Sequence, residues 1–112
     1  CGLFCYSTLS PLDENGNFQI AYLSAILPEQ SETSRYNLSI MDRDGSNRKK
    51  VYPGEGQQGL DPQSVYWSPA SSDTIWLAFI AQGNLMLAEP SSGVVRQITG
   101  DGSISKINWR CR

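Results

Sequence analysis

The chain has 112 residues and a formal net charge of −2, a size that suits one ordinary domain burying about 65% of its unfolded surface. This charge gives no electrostatic basis for binding nucleic acid or an anionic membrane. The chain contains no histidine, which excludes Ser-His-Asp and Cys-His catalysis and every zinc site that uses a histidine ligand.

The three cysteines lie only at the ends of the chain, at Cys1, Cys5 and Cys111. Because structural free cysteines are more often scattered through a core, this placement favours a Cys5–Cys111 disulfide, worth about 4 kcal/mol by loop entropy. A Cys1–Cys111 bridge is the alternative, and Cys1 followed by Gly2 also resembles the lipid-anchored start of a mature bacterial lipoprotein. No signal peptide and no apolar run of about 18 residues occurs. The protein is then either cytosolic or has already lost a leader. The terminal cysteines favour the second option, so we expect a periplasmic, cell-surface or secreted protein with no transmembrane segment.

Short apolar or alternating segments predict strands along the whole chain. In order they read FQIAYLSAI, RYNLSIMD, KKVYP, QSVYW, TIWLAFIA, NLMLAE, VVRQIT and SKINW. Turn residues such as Asn15-Gly16, Asp44-Gly45-Ser46, Gly83-Asn84 and Ser92-Gly93 separate them. No long window keeps helical spacing without a proline or glycine break. About eight or nine strands at intervals of about 8–12 residues predict an all-β sandwich, barrel or propeller.

Two parts of the chain repeat. LSPLDENGNFQIAYLS (9–24) matches WSPASSDTIWLAFIA (67–81) in its Ser-Pro, its loop and its apolar strand with Ala-Tyr or Ala-Phe. YNLSIMDRDGSNRKKVY (36–52) matches GNLMLAEPSSGVVRQIT (83–99) in Asn-Leu, an alternating strand, an acidic residue, a glycine turn and a basic residue. A glycine-containing connector after each copy leads to a strand that ends in Trp67 or Trp109, 42 residues apart. A four-stranded propeller blade has about this length.

This pattern resembles the TolB-like β-propeller repeat. The resemblance covers about residues 6–109 and is carried by WSPASSD, WLAFIA, GNLMLAE and SSGVVRQITGDG, and more loosely by the first copy. The first copy departs from the pattern in having Leu9 instead of tryptophan and an insertion around LPEQSETS. The residues of the repeat signature are Ser10, Pro11, Trp67, Ser68, Pro69, Ala78, Phe79 and Trp109.

The resemblance implies an all-β partial β-propeller with two four-stranded antiparallel blades and an extra C-terminal strand; a β-sandwich is the alternative. We expect a single all-β unit over residues 1–112. The first repeat would cover about 4–52, the connector 53–62, the second repeat about 63–99, and the first strand of a third blade 104–110.

The number of predicted blades poses a problem, because propellers use about 4–8 blades. Two blades alone would leave apolar faces and unpaired edges in water. Three arrangements would cover them: a longer polypeptide, several copies that close a ring, or head-to-tail joining into a filament.

The remaining motifs favour structural roles. DRDGSN (42–47) resembles part of a calcium loop, but its glycine falls at position 4, which favours a hairpin turn. PGEGQQG (53–59) lacks the Lys-Ser/Thr of a phosphate loop. The aromatic residues are expected to fill gaps between sheets rather than form a sugar platform; they are Trp67, Trp76, Trp109, Tyr22, Tyr66 and Phe79. We predict no catalytic, cofactor-binding or metal-binding residue.

These features together predict a non-enzymatic binding or scaffold module that works outside the cytoplasm. Its partners would be other proteins or copies of itself, with no nucleic acid and no cofactor. The incomplete blade count leaves a self-assembling structural protein, ring or filament, as one alternative. The resemblance leaves another, the propeller portion of a larger serine peptidase whose chemistry lies in a separate domain.

Overall fold

The two predicted four-stranded units are present as two antiparallel sheets. A computed structural model of the protein describes residues 4–13, 15–26, 35–54, 56–68 and 75–100. The strands are β1 (Phe4–Leu9), β2 (Gln19–Ala25), β3 (Tyr36–Asp42), β4 (Lys49–Tyr52), β5 (Tyr66–Trp67), β6 (Leu77–Ala81), β7 (Asn84–Glu89) and β8 (Val94–Gln97). The first sheet has the order β1-β2-β3-β4 and the second β5-β6-β7-β8, and neither closes on itself. The described segments contain no helix, so the all-β prediction is confirmed.

The hairpin turns form where the sequence places turn residues. β6 and β7 are joined by the two-residue turn Gln82-Gly83, since Ala81 pairs with Asn84. Both turn residues have positive φ, 52° and 76°, as a type I′ turn requires. The turn was predicted one residue later, at Gly83-Asn84.

The segment DRDGSN forms the predicted hairpin turn between β3 and β4. The Gly45 N–H donates to the Asp42 carbonyl at 2.8 Å, and Gly45 has a φ of 84°, which favours glycine. The Asp44 carboxylate accepts hydrogen bonds from the hydroxyl and the N–H of Ser46, which hold the pKa of Asp44 below its ordinary value of 3.8. These bonds satisfy the Asp44 carboxylate within the turn.

The hydrophobic core lies between the two sheets and draws on both. Its buried members are Ala21, Leu23, Tyr36, Leu38, Ile40, Tyr52, Leu60, Val65, Leu77, Phe79, Ala81, Met86 and Ala88. Leu60 comes from the predicted connector, where its N–H and C=O pair with those of Tyr36 at 2.8 and 2.9 Å. The connector is therefore a packed part of the domain as well as a link between the repeats.

Candidate interaction faces of the two sheets

The Ser-Pro motif performs the same structural task in both sheets. In the first, Ser10 donates its N–H to the Gln19 carbonyl, and its Oγ accepts the Gln19 N–H, both at 2.8 Å. In the second, Ser68 donates to the Trp76 carbonyl at 2.8 Å and accepts the Trp76 N–H at 2.9 Å. One serine therefore closes the loop that connects the first two strands of each sheet, which explains why this residue recurs.

The strand registers of the two sheets also match. Leu9 pairs with Ile20 in the first sheet, as Trp67 pairs with Leu77 in the second. Farther along, Ala21 pairs with Ile40, as Ala78 pairs with Leu87. In the outermost pairs, Lys49 lies opposite Ile40, as Arg96 lies opposite Leu87. These paired residues of one sheet thus have equivalents in the other.

Each sheet presents two faces, because side chains alternate along a strand and directly paired residues share a side. The face that we name the alanine face carries Ala21, Leu23, Leu38 and Ile40 in the first sheet and Ala78, Ile80, Leu85 and Leu87 in the second. The opposite one, the aromatic face, carries Leu9, Ile20, Tyr22 and Met41 in the first sheet and Trp67, Leu77, Phe79, Met86 and Ala88 in the second.

The sheets pack with the alanine face of the first against the aromatic face of the second. Tyr52, paired with Leu38 on the alanine face, has its ring centroid 5.0 Å from that of Phe79. Both side chains are buried, and burial raises the pKa of Tyr52 above its ordinary value of 10.0.

Polar contacts at both ends of this interface fix the relative position of the sheets. The Lys49 ammonium donates to the Pro90 carbonyl at 2.8 Å. The Trp67 indole N–H donates to the Thr8 carbonyl at 3.2 Å and so links the first strands of the two sheets. The two contacts join β4 to the β7–β8 turn and β5 to β1.

The outer faces of the stack carry apolar residues that are partly open to solvent, joined on the first sheet by polar residues such as Ser39 and Lys50. The outer face of the first sheet is its aromatic face, on which Leu9 is 60% exposed and Ile20 and Met41 are half-buried. The outer face of the second sheet is its alanine face, on which Tyr66 is 38% and Val94 43% exposed. The packed interface and the outer surfaces are therefore built from the same two kinds of face.

Four predicted signature residues surround one groove beside the first strands. Ser10, Pro11, Trp67 and Ser68 line it together with Thr8, Leu9 and Tyr66, and its volume is about 420 Å³. The other two described members of the signature, Ala78 and Phe79, lie in β6 on opposite faces, and both are fully buried.

Several predicted residues lie outside the described segments. They are Cys1, Pro69, Trp109 and Cys111, together with the whole predicted strand 104–110. Cys5 lies in β1, paired with Leu23. The Cys5–Cys111 disulfide, the lipid anchor at Cys1 and the third blade stay predictions.

The predicted aromatic set divides between the core and the surface. Phe79 is fully buried, and Trp67 packs on the core while its indole bonds to Thr8. Trp76 is half-buried, and the guanidinium carbon of Arg96 lies 5.9 Å from its ring centroid. These positions favour a role in sheet packing over a continuous platform for a sugar.

Sequence reasoning missed two polar residues that position the sheets. The Gln63 amide pairs with both backbone groups of Ile80, donating to its carbonyl and accepting its N–H, each at 2.7 Å. The other is Lys49, whose contact with Pro90 spans the two sheets. Gln63 precedes β5 and Lys49 is one of three consecutive basic residues, so neither has a sequence signal that reveals its partner.

The described segments show no arrangement for metal chemistry. They contain no group of three or more His, Cys, Asp or Glu side chains placed to hold an ion. The hydroxyls of Ser10 and Ser68 both accept backbone N–H groups, which gives them structural roles. Across the same segments, no helix has the length and apolar character needed to cross a membrane.

Comparison with protein-family models, curated proteins and solved structures finds no match to this chain.

Proposed function

We propose that the chain is a non-enzymatic binding or scaffold module of the TolB-like propeller type, completed by further sheets of the same kind. The observation that carries this proposal is the order of packing. The alanine face of one repeat lies on the aromatic face of the next, and both kinds of face occur again on the outside. Successive blades of a propeller need this arrangement, since each blade meets a neighbour on both sides.

The burial of β6 supports a propeller over the alternative β-sandwich. Strands of a sandwich alternate between apolar inward residues and polar outward residues. In β6 the consecutive residues Leu77, Ala78 and Phe79 are all fully buried. The outward face of the second sheet also carries Ile80, Leu85 and Leu87. A strand that is apolar on both faces belongs in a fold with a neighbour on each side.

The groove at the first strands is the place we assign to a protein partner. It combines the half-buried ring of Trp67 with the exposed side chain of Leu9, whereas the Thr8 carbonyl and the Ser10 hydroxyl already form hydrogen bonds within the chain. Aromatic and apolar side chains are what the centres of protein interfaces use. None of the described residues that line the groove is charged, so we assign it an uncharged partner segment.

The location outside the cytoplasm rests on the cysteines of the sequence. All three lie at the ends of the chain, where a disulfide would join the first and last strands. Such bonds persist in oxidising compartments. The module would then work in the periplasm, at the cell surface or in the medium.

Site-specific photo-crosslinking tests the binding function. A photoreactive amino acid replaces Leu9, which lines the groove and is 60% exposed, and in a matched control it replaces Leu12, which is 65% exposed and does not line it. Each protein is produced in its native compartment and irradiated. The Leu9 position should give a discrete adduct with another protein, and the Leu12 position should not.

The adduct mass separates the possible outcomes. An adduct heavier than the chain by a foreign protein supports the binding module. Adducts at neither position, or equal adducts at both, would count against a partner in this groove. Labelling of Ser10 or Ser68 by a serine-hydrolase probe would contradict the non-enzymatic assignment.

A further inference from the structure

We propose that the alanine face of the second sheet binds the aromatic face of the first sheet of a second copy, so that copies join head to tail. This inference rests on the propeller-type packing proposed above and names one occupant for its outer faces. The occupant follows from the repeat: the two outer faces are the equivalents of the two faces that already pack together inside the molecule.

The equivalence can be followed residue by residue. Inside the molecule, Leu23 and Ile40 of the alanine face meet the aromatic face on which Leu77 and Phe79 lie. The outer alanine face has Ile80 and Leu87 at the positions of Leu23 and Ile40. The outer aromatic face has Ile20 and Tyr22 at the positions of Leu77 and Phe79. Branched and aromatic side chains would therefore meet again between copies, continuing the inner interface.

The polar contact at the edge of the interface has an equivalent too. Inside, the Lys49 ammonium reaches the Pro90 carbonyl. Arg96 occupies the position of Lys49, and Arg43 that of Pro90. The Arg96 side chain, now 5.9 Å from the Trp76 ring centroid, would donate to the Arg43 carbonyl of the next copy. A cationic side chain thus stands at the same place on both alanine faces.

Several differences make the contact between copies weaker than the one within each copy. Ser39 and Lys50 stand on the outer aromatic face at the positions of Met86 and Gln97. Thr99 stands at the position of Tyr52, so the stacked pair with Phe79 has no aromatic equivalent. Leu9 stands at the position of Trp67, whose indole hydrogen bond to Thr8 is also lost. The association would be reversible and would rise with protein concentration.

The proposed contact joins two different faces, so it is heterologous. Such contacts build closed rings when the rotation between copies closes and open filaments when it does not. A two-fold dimer, in which each copy offers the same face, is a different arrangement. Variants that block one face at a time distinguish the two.

The test uses two variants and their mixture. Leu87→Glu places a charge on the outer alanine face, and Met41→Glu places one on the outer aromatic face. Leu12→Glu, at an exposed loop position, is the control. Masses are measured by light scattering with reductant present, at protein concentrations up to about 100 µM, a range that detects any Kd on the order of micromolar.

The proposal predicts a specific pattern of masses. Wild type and Leu12→Glu should exceed 12.4 kDa in a concentration-dependent way, while each face variant alone stays at 12.4 kDa. An equal mixture of the two face variants should form a species of twice that mass and nothing larger. The intact face of one variant binds the intact face of the other, and no further intact face remains. Leu87→Gln and Met41→Gln repeat the test if either charged variant fails to give the far-ultraviolet spectrum of wild type.

Two results would overturn the proposal. One is a wild type that stays at 12.4 kDa over the whole range. The other is a dimer of one face variant alone, which would indicate a two-fold contact. Leu9 lies in the groove and also on the outer aromatic face, so the adduct mass separates the two proposals. A Leu9 adduct with a foreign protein supports the binding module, and a Leu9 adduct of twice 12.4 kDa supports the contact between copies.

Discussion

Replacing Phe79 with alanine should be among the most destabilising single substitutions in the molecule. Its side chain is 0% exposed and lies with its ring centroid 5.0 Å from that of Tyr52 across the two sheets. Truncating a fully buried phenylalanine costs about 3–5 kcal/mol, because apolar burial is lost and a cavity remains. Since domains of this size are stable by about 5–15 kcal/mol, the variant should lose a large share of its stability.

The equivalent position in the first sheet provides the matched control. Tyr22 occupies the place of Phe79 in the repeat but lies on the outer face, where it is half-buried. Tyr22→Ala should therefore cost about 1–2 kcal/mol, clearly less than Phe79→Ala. Both are measured by equilibrium urea unfolding, followed by tryptophan fluorescence at low protein concentration.

Two outcomes would contradict the packing of the sheets through Phe79. Equal losses for the two variants, or a loss below about 1 kcal/mol for Phe79→Ala, would mean that the sheets do not pack through this face. Phe79→Leu, expected to lose about 1–2 kcal/mol, supplies the measurement if the alanine variant does not fold.

Three further predictions test contacts within and between the sheets. Ser68→Ala should lower the free energy of unfolding by about 1–3 kcal/mol, because the Trp76 N–H loses its acceptor in a buried site. Ser10→Ala should lower it by less, about 0.5–1.5 kcal/mol, because its site is half-buried. Urea unfolding midpoints compare the two variants, and a larger loss for Ser10→Ala would contradict the argument from burial. Gln63→Glu keeps the acceptor for the Ile80 N–H but removes the donor to the Ile80 carbonyl. Thermal unfolding at pH 7 should therefore show a loss of stability of about 1–3 kcal/mol, and an unchanged melting curve would refute this pairing. Burial raises the pKa of Tyr52 above 10.0, so its stabilising contribution is fully present below pH 10.0 and is lost as pH rises through the raised value. Between about pH 9 and pH 11 the urea unfolding midpoint should therefore decrease more for wild type than for Tyr52→Phe. An equal decrease for both proteins would contradict this prediction.

Much of the architecture could be predicted because its signals are local. Alternating apolar residues predict strands, and Gly45, Gly83 and Gly93 stand in turns where their φ angles are positive. The internal repeat then predicts that strands group in fours. The one-residue error at Gly83-Asn84 arose because Gln82 also adopts a positive φ, which its residue type does not indicate.

The parts that could not be predicted depend on contacts between distant residues. Leu60 looks like a connector residue in the sequence, yet its backbone pairs with that of Tyr36 and its side chain packs in the core, where it is 1% exposed. Lys49 looks like a solvated basic residue, yet its ammonium reaches a carbonyl 41 positions away. The inward face of the second sheet was equally hidden because both of its faces are apolar, whereas Ser24, Asn37, Ser39 and Lys50 mark the outer face of the first sheet.

A double-mutant cycle on Tyr52 and Phe79 tests the central claim most directly, namely that the alanine face of one sheet packs on the aromatic face of the next. Tyr52→Leu, Phe79→Leu and the double variant are compared with wild type by urea unfolding. The stacked pair predicts a coupling free energy of about 0.5–1.5 kcal/mol. Strictly additive losses would contradict the claim, because residues without contact do not couple.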